Sequence, residues 1–350
     1  MEFEALLNGS TGWFRSIGPE SDVVFSSRIR LARNLRKLPF PNRASEADKR
    51  RIREEIEKTL ISLPYFQKSY VLHMDELSPI DKQFLSERYL ISRELAGQRT
   101  GSSVVIDDKE TISVMINEED HIRMQTLLSG FRLWECWDII QDMDKKLQKD
   151  LQFAFSDSLG YLTSCPTNVG TGIRVSTMLH LPGLIMAKQI EQVLQAIIKL
   201  GLAIRGLYGE GTEWSGNLFQ ISNQVTLGRS EEDIISSIEK VVRQVVQNER
   251  NARNHILKNN SEALYDKVGR AYGILSNAHL ISTRETIDHL STLRMGVDLS
   301  IINRLNKDKI NELFILSQPA HIQKTNGKEL DAGMRDIERG NLLRSRIINN

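Results

Sequence analysis

The sequence predicts an α+β fold, in which an antiparallel β-sheet flanked by helices is followed by a smaller all-helical C-terminal domain. Two observations lead to this prediction. The first two-thirds of the 350 residues contain hairpins and short strands without the regular strand–helix alternation of a parallel sheet. From about residue 230 onwards, apolar residues recur almost only at helical spacing. We therefore expect a first domain over residues 1–255 and a helical domain over residues 256–350.

The elements of the first domain can be predicted in order. Asp22–Ser27 alternates like a strand, and Arg50–Leu60 has the apolar spacing of an amphipathic helix. Ser102–Ile106 and Thr111–Ile116 are rich in strand-forming residues and are joined by a short polar turn, which predicts a hairpin. Apolar residues at helical spacing over Met124–Leu147 predict a long helix there.

Beyond residue 150, the sequence again predicts strands and a helix. Leu151–Ser156 alternates like a strand. An apolar stripe from Ile190 to Ile198 predicts a helix that ends before Gly201, because glycine is typical of helix C-termini. Three further strands are predicted over Ile204–Tyr208, Leu218–Ser222 and Gln224–Leu227.

The C-terminal part begins with a helix-start pattern. Ser230–Asp233 reads SEED and resembles a capping box, and the apolar residues from Ile234 to Val246 then recur at helical spacing. Almost only helices follow, with breaks predicted near Asn259–Asn260, Asn277 and Pro319.

Composition and missing motifs exclude several classes of protein. The 46 Lys and Arg residues nearly balance the 45 Asp and Glu residues, so the net charge of +1 predicts neither nucleic-acid coating nor membrane adhesion. Two cysteines fit a reducing compartment, and no signal peptide or bilayer-length apolar run is recognisable, so we expect a soluble, cytoplasmic protein. The sequence lacks P-loop, HRD, DFG, HExxH and CxxC strings.

Any phosphate binding must therefore come from local groups of arginines. The guanidinium is a planar fork that binds phosphate oxygens in pairs, and Gly170 and Gly172 would let backbone N–H groups approach the same phosphates. The alternative is that each arginine forms an ordinary surface ion pair. The five candidates, all near glycines or strand ends, are Arg28, Arg30, Arg123, Arg174 and Arg205.

Two adjacent glutamates, Glu118 and Glu119, lie in the string NEEDHIR directly after a predicted strand. One carboxylate can grip a guanidinium through two parallel hydrogen bonds. The same residues are equally compatible with the acidic first turn of a helix. Spacing alone leaves both interpretations open.

The two cysteines have different surroundings in the sequence. Cys165 precedes a proline and the glycine-rich string, so its thiol could lie beside a cation, or it could be a small buried apolar residue. Cys136 lies between Trp134 and Trp137 in a predicted helix, and we assign it to the core.

The motifs together resemble those of the guanidino (phosphagen) kinases, the family of creatine and arginine kinases. The resemblance covers about residues 20–230 and implies an ATP-dependent kinase that phosphorylates a guanidinium group. It depends on five strings in the family's order: SSRIR (26–30), NEEDHIR (117–123), CPTNVGTGIR (165–174), RGLYGE (205–210) and ISNQVTLG (221–228).

The resemblance implies a role for each matching residue, with ATP accompanied by Mg²⁺ that is held mainly by the phosphates. Glu119 would hold the substrate guanidinium and act as a base, Glu210 would be the second carboxylate, and Cys165 would touch the guanidinium. Tyr89 and Met178 stand where the family has histidines near the adenine. The implied ATP contacts are Ser27, Arg28, Ile29, Arg30, Tyr89, Arg123, Arg174, Val175, Ser176, Thr177, Met178, Arg205, Gly206 and Gly209.

Two departures narrow the resemblance to the bacterial protein-arginine kinases of the McsB type. SSRIR begins at residue 26, which leaves no room for the lobe that closes over free creatine or arginine. MRDIERG (334–340) resembles the phosphoarginine-binding motif RDxxRA, with Gly340 in place of alanine. Arg335 and Arg339 would then pair with the phosphate and Asp336 with the guanidinium of an allosteric ligand. Spacing alone is also typical of ion pairs along an exposed helix face.

The narrowed resemblance implies transfer of the γ-phosphoryl group of ATP to arginine residues in proteins, in a stress response that marks proteins for Clp-type proteolysis. Implied partners are a heat-shock repressor, the Clp unfoldase–protease and a zinc-binding activator protein, without direct contact to nucleic acid or membrane. The apolar stripe of the C-terminal helices fits either a homodimer interface or a core. Alternatives are a free-arginine kinase and a catalytically silent phosphoarginine-binding regulator.

Overall fold

A computed structural model describes residues 6, 13, 17–98, 100–206 and 215–348. Its strands are β1 (Val24–Arg33), β2 (Ser69–His73), β3 (Ser103–Asp107), β4 (Ile112–Ile116), β5 (Ile122–Ser129), β6 (Phe155–Ser156), β7 (Gly160–Tyr161), β8 (Ile173–His180), β9 (Leu202–Gly206) and β10 (Leu218–Asn223). Eight of them form one antiparallel sheet in the order β2-β3-β4-β5-β1-β8-β10-β9, and β6 pairs with β7. The predicted fold class is confirmed.

Helices cover one face of this sheet. The helix α4 packs on β1 and β5, α7 packs on β8 and β10, and α6 packs on β9. The described helices are α1 (Glu46–Ile61), α2 (Pro79–Glu87), α3 (Arg93–Gly97), α4 (Leu133–Asp150), α5 (Pro182–Met186), α6 (Ile190–Lys199), α7 (Glu231–Asn259), α8 (Ser261–Asn277), α9 (Thr283–Asp298), α10 (Lys307–Leu316), α11 (Pro319–Asn326) and α12 (Ala332–Ile348).

The main hydrophobic core lies between the sheet and these helices. Alternate residues of β1, Ile29 and Leu31, are fully buried and pack in one cluster with Val175 of β8, Ile140 of α4 and Ile235 of α7. Because side chains alternate across a strand, the intervening residues of β1 point to the opposite face. That second face carries the polar residues described below.

The predicted helix over Met124–Leu147 is wrong in its first third. Ile122–Ser129 is the strand β5, the chain turns at Gly130 in a left-handed conformation (φ 70°), and only Leu133–Asp150 is helical. Strand β5 lies between β4 and β1, and most of its residues are buried on both faces. Polar residues occupy several buried positions of β5, so its apolar residues Met124, Leu127 and Leu128 recur at i, i+3 and i+4, which is the spacing of a helix.

Most other predicted elements are confirmed with small shifts, but of the predicted strand Leu151–Ser156 only Phe155–Ser156 is a strand. The hairpin is β3–β4, and β1 starts at Val24 and extends six residues beyond the predicted end, Ser27, to Arg33. The run Gln224–Leu227 is not a strand: Thr226 Oγ1 donates to the carbonyls of Thr167 and Val169, and Val225 and Leu227 are exposed.

The C-terminal part is helical, as predicted. Ser230 caps α7 by accepting a hydrogen bond from Asp233 N at 3.1 Å, and α7 then continues past residue 255 to Asn259. The division into domains at residue 255 remains a prediction. None of the helices in the described part of the chain combines the length and hydropathy that a membrane crossing needs.

A second apolar cluster joins the sheet to the C-terminal helices. Phe25 and Leu218 of the sheet pack with Ile287 of α9 and Phe314 of α10. The C-terminal helices therefore border the space above the polar face of the sheet.

Candidate active site

Arginines from four strands share the polar face of the sheet. Arg30 of β1 lies directly opposite Arg174 of β8, and Arg123 of β5 lies opposite Ala32, two residues further along β1. Directly opposite residues in antiparallel strands point to the same face. Arg28 is on that face as well, and Arg205 of β9 joins it through Gln220, to which Arg28 Nη2 donates at 3.3 Å. We call these five residues the arginine face.

The arginine face is crowded with positive charge. Burial and the nearby guanidinium groups of Arg123, Arg174 and Arg205 lower the pKa of Arg28 to about 10. Burial and the neighbouring Arg28 lower the pKa of Arg30 well below its ordinary value. Arg30 Nε is buried and has no hydrogen-bond partner among the residues that the structure describes. Such an arrangement costs free energy unless an anion lies against it, so it fits phosphate groups.

A cleft of about 1560 Å³ opens above this face. Arg28, Arg30, Arg123 and Arg205 line its floor, whereas Arg174 is not part of the lining. One end is apolar and is formed by Trp13, Tyr89, Met178, Leu218, Phe314 and Ile315. Tyr89 stands edge-on to Trp13 at 5.3 Å and lies 5.9 Å from Arg28 Cζ. A purine could pack at this end while its phosphates reach the arginines.

The other predicted ATP contacts separate by the face on which they lie. Ser176, Met178 and Gly206 lie on or beside the arginine face. Ser27, Ile29, Val175 and Thr177 are fully buried on the opposite, helix-covered face, so any contact with a nucleotide would not involve their side chains. The prediction for Gly209, like that for Glu210, lies outside the described residues.

The two adjacent glutamates lie in the hairpin loop Asn117–His121 between β4 and β5, not at a helix start. Asn117 has a left-handed backbone (φ 53°), and its Nδ2 donates to Lys49 O at 2.8 Å and Gly101 O at 2.7 Å. Glu118 is buried and accepts hydrogen bonds from Arg123 and Ser92. Burial opposes ionisation of Glu118, but Arg123 outweighs it and lowers the pKa of the carboxyl.

The other end of the loop is anchored as well. Asn34 Nδ2 donates to Asp120 Oδ1 at 2.6 Å, and Asn34 Oδ1 accepts from His121 N at 2.9 Å. Within the loop only Glu119 is exposed. Partial burial and the charges of Asp120 and Glu118 raise the pKa of Glu119. The four neighbours therefore fix the loop and leave Glu119 at its tip as the carboxylate available to a ligand.

The Cys165 segment is attached to this loop. Ser164 N donates to Asp120 Oδ1 at 2.7 Å. Because Ser164 directly precedes Cys165 and Asp120 directly follows Glu119, this hydrogen bond ties the Cys165 segment to the loop that carries Glu119. Cys165 is half-buried and its Sγ lies 2.9 Å from Thr167 Oγ1. The predicted core position of Cys136 is confirmed, because that residue is fully buried and burial raises its pKa to about 12.

The glycines beside Cys165 have a packing role. A Cβ atom at Gly170 would lie 2.5 Å from Thr226 O, and one at Gly172 would lie 2.7 Å from Ala32 O. Gly170 N donates to Tyr161 O, so this N–H group is used within the chain. The close approach of neighbouring backbone atoms is enough to require glycine at both positions, so a bound phosphate is not needed to explain them.

The predicted phosphoarginine motif lies on α12. Arg339 is buried rather than on an exposed face, and it donates from Nε to Ser317 O at 2.7 Å and from Nη1 to Ile281 O at 2.8 Å and to Asp336. Arg335 is half-buried and donates to Leu330 O at 2.7 Å. In this arrangement Arg339 holds the helix in place, and binding of phosphoarginine by Arg335, Asp336 and Arg339 remains a prediction.

Sequence reasoning missed the residues that position the site. Asn34, Ser92 and Asp120 orient the hairpin loop. Glu94 lines the cleft together with Arg123, and its charge acts on Arg123 and on Glu119. Asp120 stood within NEEDHIR and could have been considered. Asn34 and Ser92 are distant in sequence from their partners, and nothing in the sequence indicates those contacts.

The described residues fit ATP better than a free metal ion. Among them one trio, His73, Asp75 and Glu76, brings potential metal ligands within 4.8 Å of one another, but two of the three are exposed. The arginine face, with Arg30 Nε unpartnered in the described part of the chain, fits an oligophosphate. Mg²⁺ would therefore be held through the phosphates of ATP.

Comparison with protein families gives two adjacent matches. Residues 51–252 match the model of the ATP:guanido phosphotransferase C-terminal catalytic domain. Residues 261–350 match the model of the McsB protein-arginine kinase C-terminal domain. The two matches meet close to the break between α7 and α8.

Relatives and solved structures agree with these matches. A protein-arginine kinase from Halothermothrix orenii is 45% identical over 351 residues, and one from Bacillus cereus is 45% identical over 350 residues; each alignment covers 99% of both chains. The duplicated taurocyamine kinase from Schistosoma mansoni has a TM-score of 0.60 and 26% identity over 75% of this chain and 38% of that chain. A lombricine kinase, 22% identical over 69% of each chain with a TM-score of 0.58, shares the fold.

The match over more than half of the chain and the full-length identity of 45% show that the chain belongs to the ATP:guanido phosphotransferase family, among the protein-arginine kinases.

Proposed function

We propose that this phosphotransferase transfers the γ-phosphoryl group of ATP to the guanidinium of arginine residues in proteins. The observation that carries the proposal is the position of one available carboxylate, Glu119, beside a sheet face that gathers five arginines. Relatives named protein-arginine kinase, 45% identical over 99% of this chain, support this activity.

The geometry supports a division of labour between the arginine face and Glu119. The arginines would bind the triphosphate and stabilise the charge that spreads over the transferred group. When bound with ATP, Mg²⁺ would neutralise part of the phosphate charge. Glu118 already accepts hydrogen bonds from Arg123 and Ser92. Glu119 is therefore the carboxylate of the pair that can accept hydrogen bonds from a substrate guanidinium.

The chemical difficulty lies in the acceptor nitrogen. A guanidinium keeps its proton up to a pH above about 12, and its lone pairs are delocalised. During in-line transfer the bond from the γ-phosphorus to the β-phosphate oxygen breaks, a P–N bond forms, and the nitrogen loses a proton. Glu119, with its raised pKa, is suited to orient that nitrogen and to accept the proton.

Several finer statements belong to the proposal. We expect Glu210 to be the second carboxylate, Cys165 to touch the guanidinium, and MRDIERG to bind phosphoarginine. The heat-shock repressor, the Clp unfoldase–protease and the zinc-binding activator are expected partners on the resemblance alone. A homodimer is expected on the same resemblance. The cytoplasmic location is expected on the resemblance and because both cysteines are free, which fits a reducing compartment.

An acceptor assay tests the proposal directly. The protein is incubated with γ-labelled ATP and either free arginine or an arginine-rich model protein. Label that stays on the protein in base and is lost in acid supports phosphorylation of arginine residues. Label only on free arginine indicates a phosphagen kinase, and ATP turnover no higher than background indicates a silent binding protein; either result would overturn the proposal.

A further inference from the structure

The apolar end of the cleft contains a tyrosine with an unusual backbone. Tyr89 follows the end of α2 and has a left-handed conformation (φ 61°). Its N–H donates to Ser86 O at 3.0 Å, and Leu90 N donates to Leu85 O at 3.0 Å, so Tyr89 ends the helix at a position where glycine is usual. A tyrosine in this conformation costs free energy and persists only where the surrounding structure holds it.

Two polar side chains of the sheet hold this segment. Gln125 Nε2 of β5 donates to Tyr89 O at 2.6 Å, and Ser113 Oγ of β4 donates to Leu90 O at 2.9 Å. Gln125 and Ser113 are both buried and lie directly opposite each other in the pairing of β4 with β5. The two donors therefore stand side by side and hold two consecutive carbonyl groups.

The residue before Tyr89 is anchored as well. Arg88 Nε donates to Glu110 Oε2 at 2.9 Å, and Arg88 Nη2 donates to Glu110 Oε1. Both side chains are buried, and Glu110 lies in the turn between β3 and β4. Residues 88–90 are thus each fixed by a buried side-chain hydrogen bond to the sheet or its turn.

Gln125 also connects Tyr89 with the arginine face. On the side away from Ser113, Gln125 lies directly opposite Arg30 of β1, so their side chains share one face of the sheet. Tyr89 and Arg30 both line the cleft above that face. One row of paired residues crosses four strands and consists of Ser113, Gln125, Arg30 and Arg174. This row sets the distance between the tyrosine and the arginines.

We propose that Gln125 is a positioning residue for the base of the nucleotide, which acts by holding Tyr89 at a fixed distance from the arginine face. The inference deepens the proposed function, because it takes a nucleoside triphosphate as the phosphoryl donor. Tyr89 would pack against the base while the arginines bind the phosphates. Loss of the hydrogen bond from Gln125 would let the strained Tyr89 backbone relax, which would weaken the base contact and spare the phosphate contacts.

Two substitutions on β5 separate this role from a purely structural one. Gln125→Met keeps a side chain of similar length but removes the donor to Tyr89 O. Thr126→Val is the matched control, because Thr126 is buried opposite Ile29 on the helix-covered face and donates from Oγ1 to Cys136 O at 3.1 Å. Each variant loses one hydrogen bond from a buried side chain of the same strand to a backbone carbonyl.

The probes are ATP and inorganic tripolyphosphate, which has the phosphates without the base. For each full-length variant we would measure both Kd values, kcat at saturating ATP and the free energy of unfolding. In Gln125→Met the Kd for ATP should rise about 5- to 10-fold and the Kd for tripolyphosphate should stay within about twofold of wild type. In Thr126→Val both Kd values should stay within about twofold of wild type, although stability falls.

The Tyr89→Leu background shows whether Gln125 acts through the tyrosine. Without the ring, Gln125→Met should not change the ratio of the two Kd values further, because the effects of coupled residues are not additive. Three results would overturn the inference while leaving arginine phosphorylation intact: unchanged ATP affinity in Gln125→Met, equal losses of affinity for ATP and tripolyphosphate, or additive effects in the double variant. A wild-type protein that neither binds ATP nor phosphorylates arginine would overturn both proposals.

Discussion

Arginines that are half-buried on the sheet and fully buried among the C-terminal helices have different surroundings in this chain. On the sheet, Arg28 and Arg30 are crowded by other guanidinium groups, and Arg30 Nε has no partner in the described part of the chain. In the helical region, Arg339 donates to two backbone carbonyls and to Asp336, and Arg294 donates to Asn311 Oδ1 at 3.0 Å and to Asp22 O. We interpret Arg339, whose partners all come from the chain, as a structural arginine, and Arg30, which faces other guanidinium groups, as part of an anion site.

The contrast extends to the neighbouring carboxylates. Glu118 is buried and bonded to Arg123, as Asp336 is bonded to Arg339. Glu119, one residue away, is exposed at the tip of its loop. Substitutions in the two groups should therefore separate ligand binding and chemistry from folding.

The largest effect is expected for Glu119→Gln. Glutamine cannot accept the proton of the attacking nitrogen or grip the guanidinium with two anionic oxygens, so the transfer rate should fall by about a thousandfold or more. ATP affinity, measured by calorimetry, should stay close to wild type because the arginine face is intact. The adjacent Glu118→Gln is the control and should lower stability, since Glu118 is buried against Arg123. A parallel loss of ATP affinity and turnover in Glu119→Gln would contradict this role.

The next effect concerns Arg339→Leu. The substitution leaves the carbonyls of Ser317 and Ile281 without their donors and removes the partner of Asp336, so the free energy of unfolding should fall by about 3 kcal/mol. Urea unfolding measures it. Arg335→Leu, which loses one hydrogen bond to Leu330 O, should cost less. Equal losses in both variants would contradict the distinction between the buried Arg339 and the half-buried Arg335 of the motif.

Arg30→Leu should have a smaller effect than Arg339→Leu, and that effect should be on ATP binding rather than on stability. The Kd for ATP should rise roughly 10- to 30-fold, because one charged phosphate contact is lost. The free energy of unfolding should stay equal or rise, since the substitution removes a half-buried guanidinium that is repelled by Arg28, Arg123 and Arg174. Added salt should weaken ATP binding less in the variant than in the wild type. A clear loss of stability with normal ATP affinity would place Arg30 in the same class as Arg339.

The smallest effect is a shift in pH dependence. Burial and neighbouring carboxylates raise the pKa of Glu119, so this group protonates at a higher pH than an ordinary glutamate when the pH falls. The acid limb of kcat/KM should therefore lie above the ordinary glutamate range. Glu94→Gln removes one of the negative charges that raise the pKa of Glu119, so the limb should move to lower pH. A limb that moves upward would contradict the assignment to Glu119.

Local patterns in the sequence predicted local features well. The β3–β4 hairpin, the start of α7 at Ser230 and the burial of Cys136 follow from residues close to one another. The family resemblance, not spacing, identified Glu119 among its acidic neighbours. In the structure, Glu119 is the exposed carboxylate because Ser92 and Asn34 bind its neighbours Glu118 and Asp120. Ser92 and Asn34 are distant from the hairpin loop in sequence, so these contacts could not be predicted.

The pairing between strands that are distant in sequence could not be predicted, and it limited the prediction of the site residues. Strand β1 lies between β5 and β8, which follow it by about 100 and 150 residues, and this pairing decides which residues face the cleft. Without the pairing, Ser27 and Ile29 could not be separated from Arg28 and Arg30 as ATP contacts. The helix prediction over β5 is wrong because buried polar residues interrupt the strand, so that Met124, Leu127 and Leu128 have helical spacing.

The most direct test of the account is to map the phosphorylated atom in a model protein after reaction with ATP under conditions that preserve P–N bonds. Fragment spectra of the wild-type reaction should place the phosphoryl group on arginine side chains, and the Glu119→Gln reaction should show none. Phosphate on serine, threonine or tyrosine, or arginine phosphorylation that persists in Glu119→Gln, would contradict the assignment of this carboxylate and the arginine face to guanidinium phosphorylation.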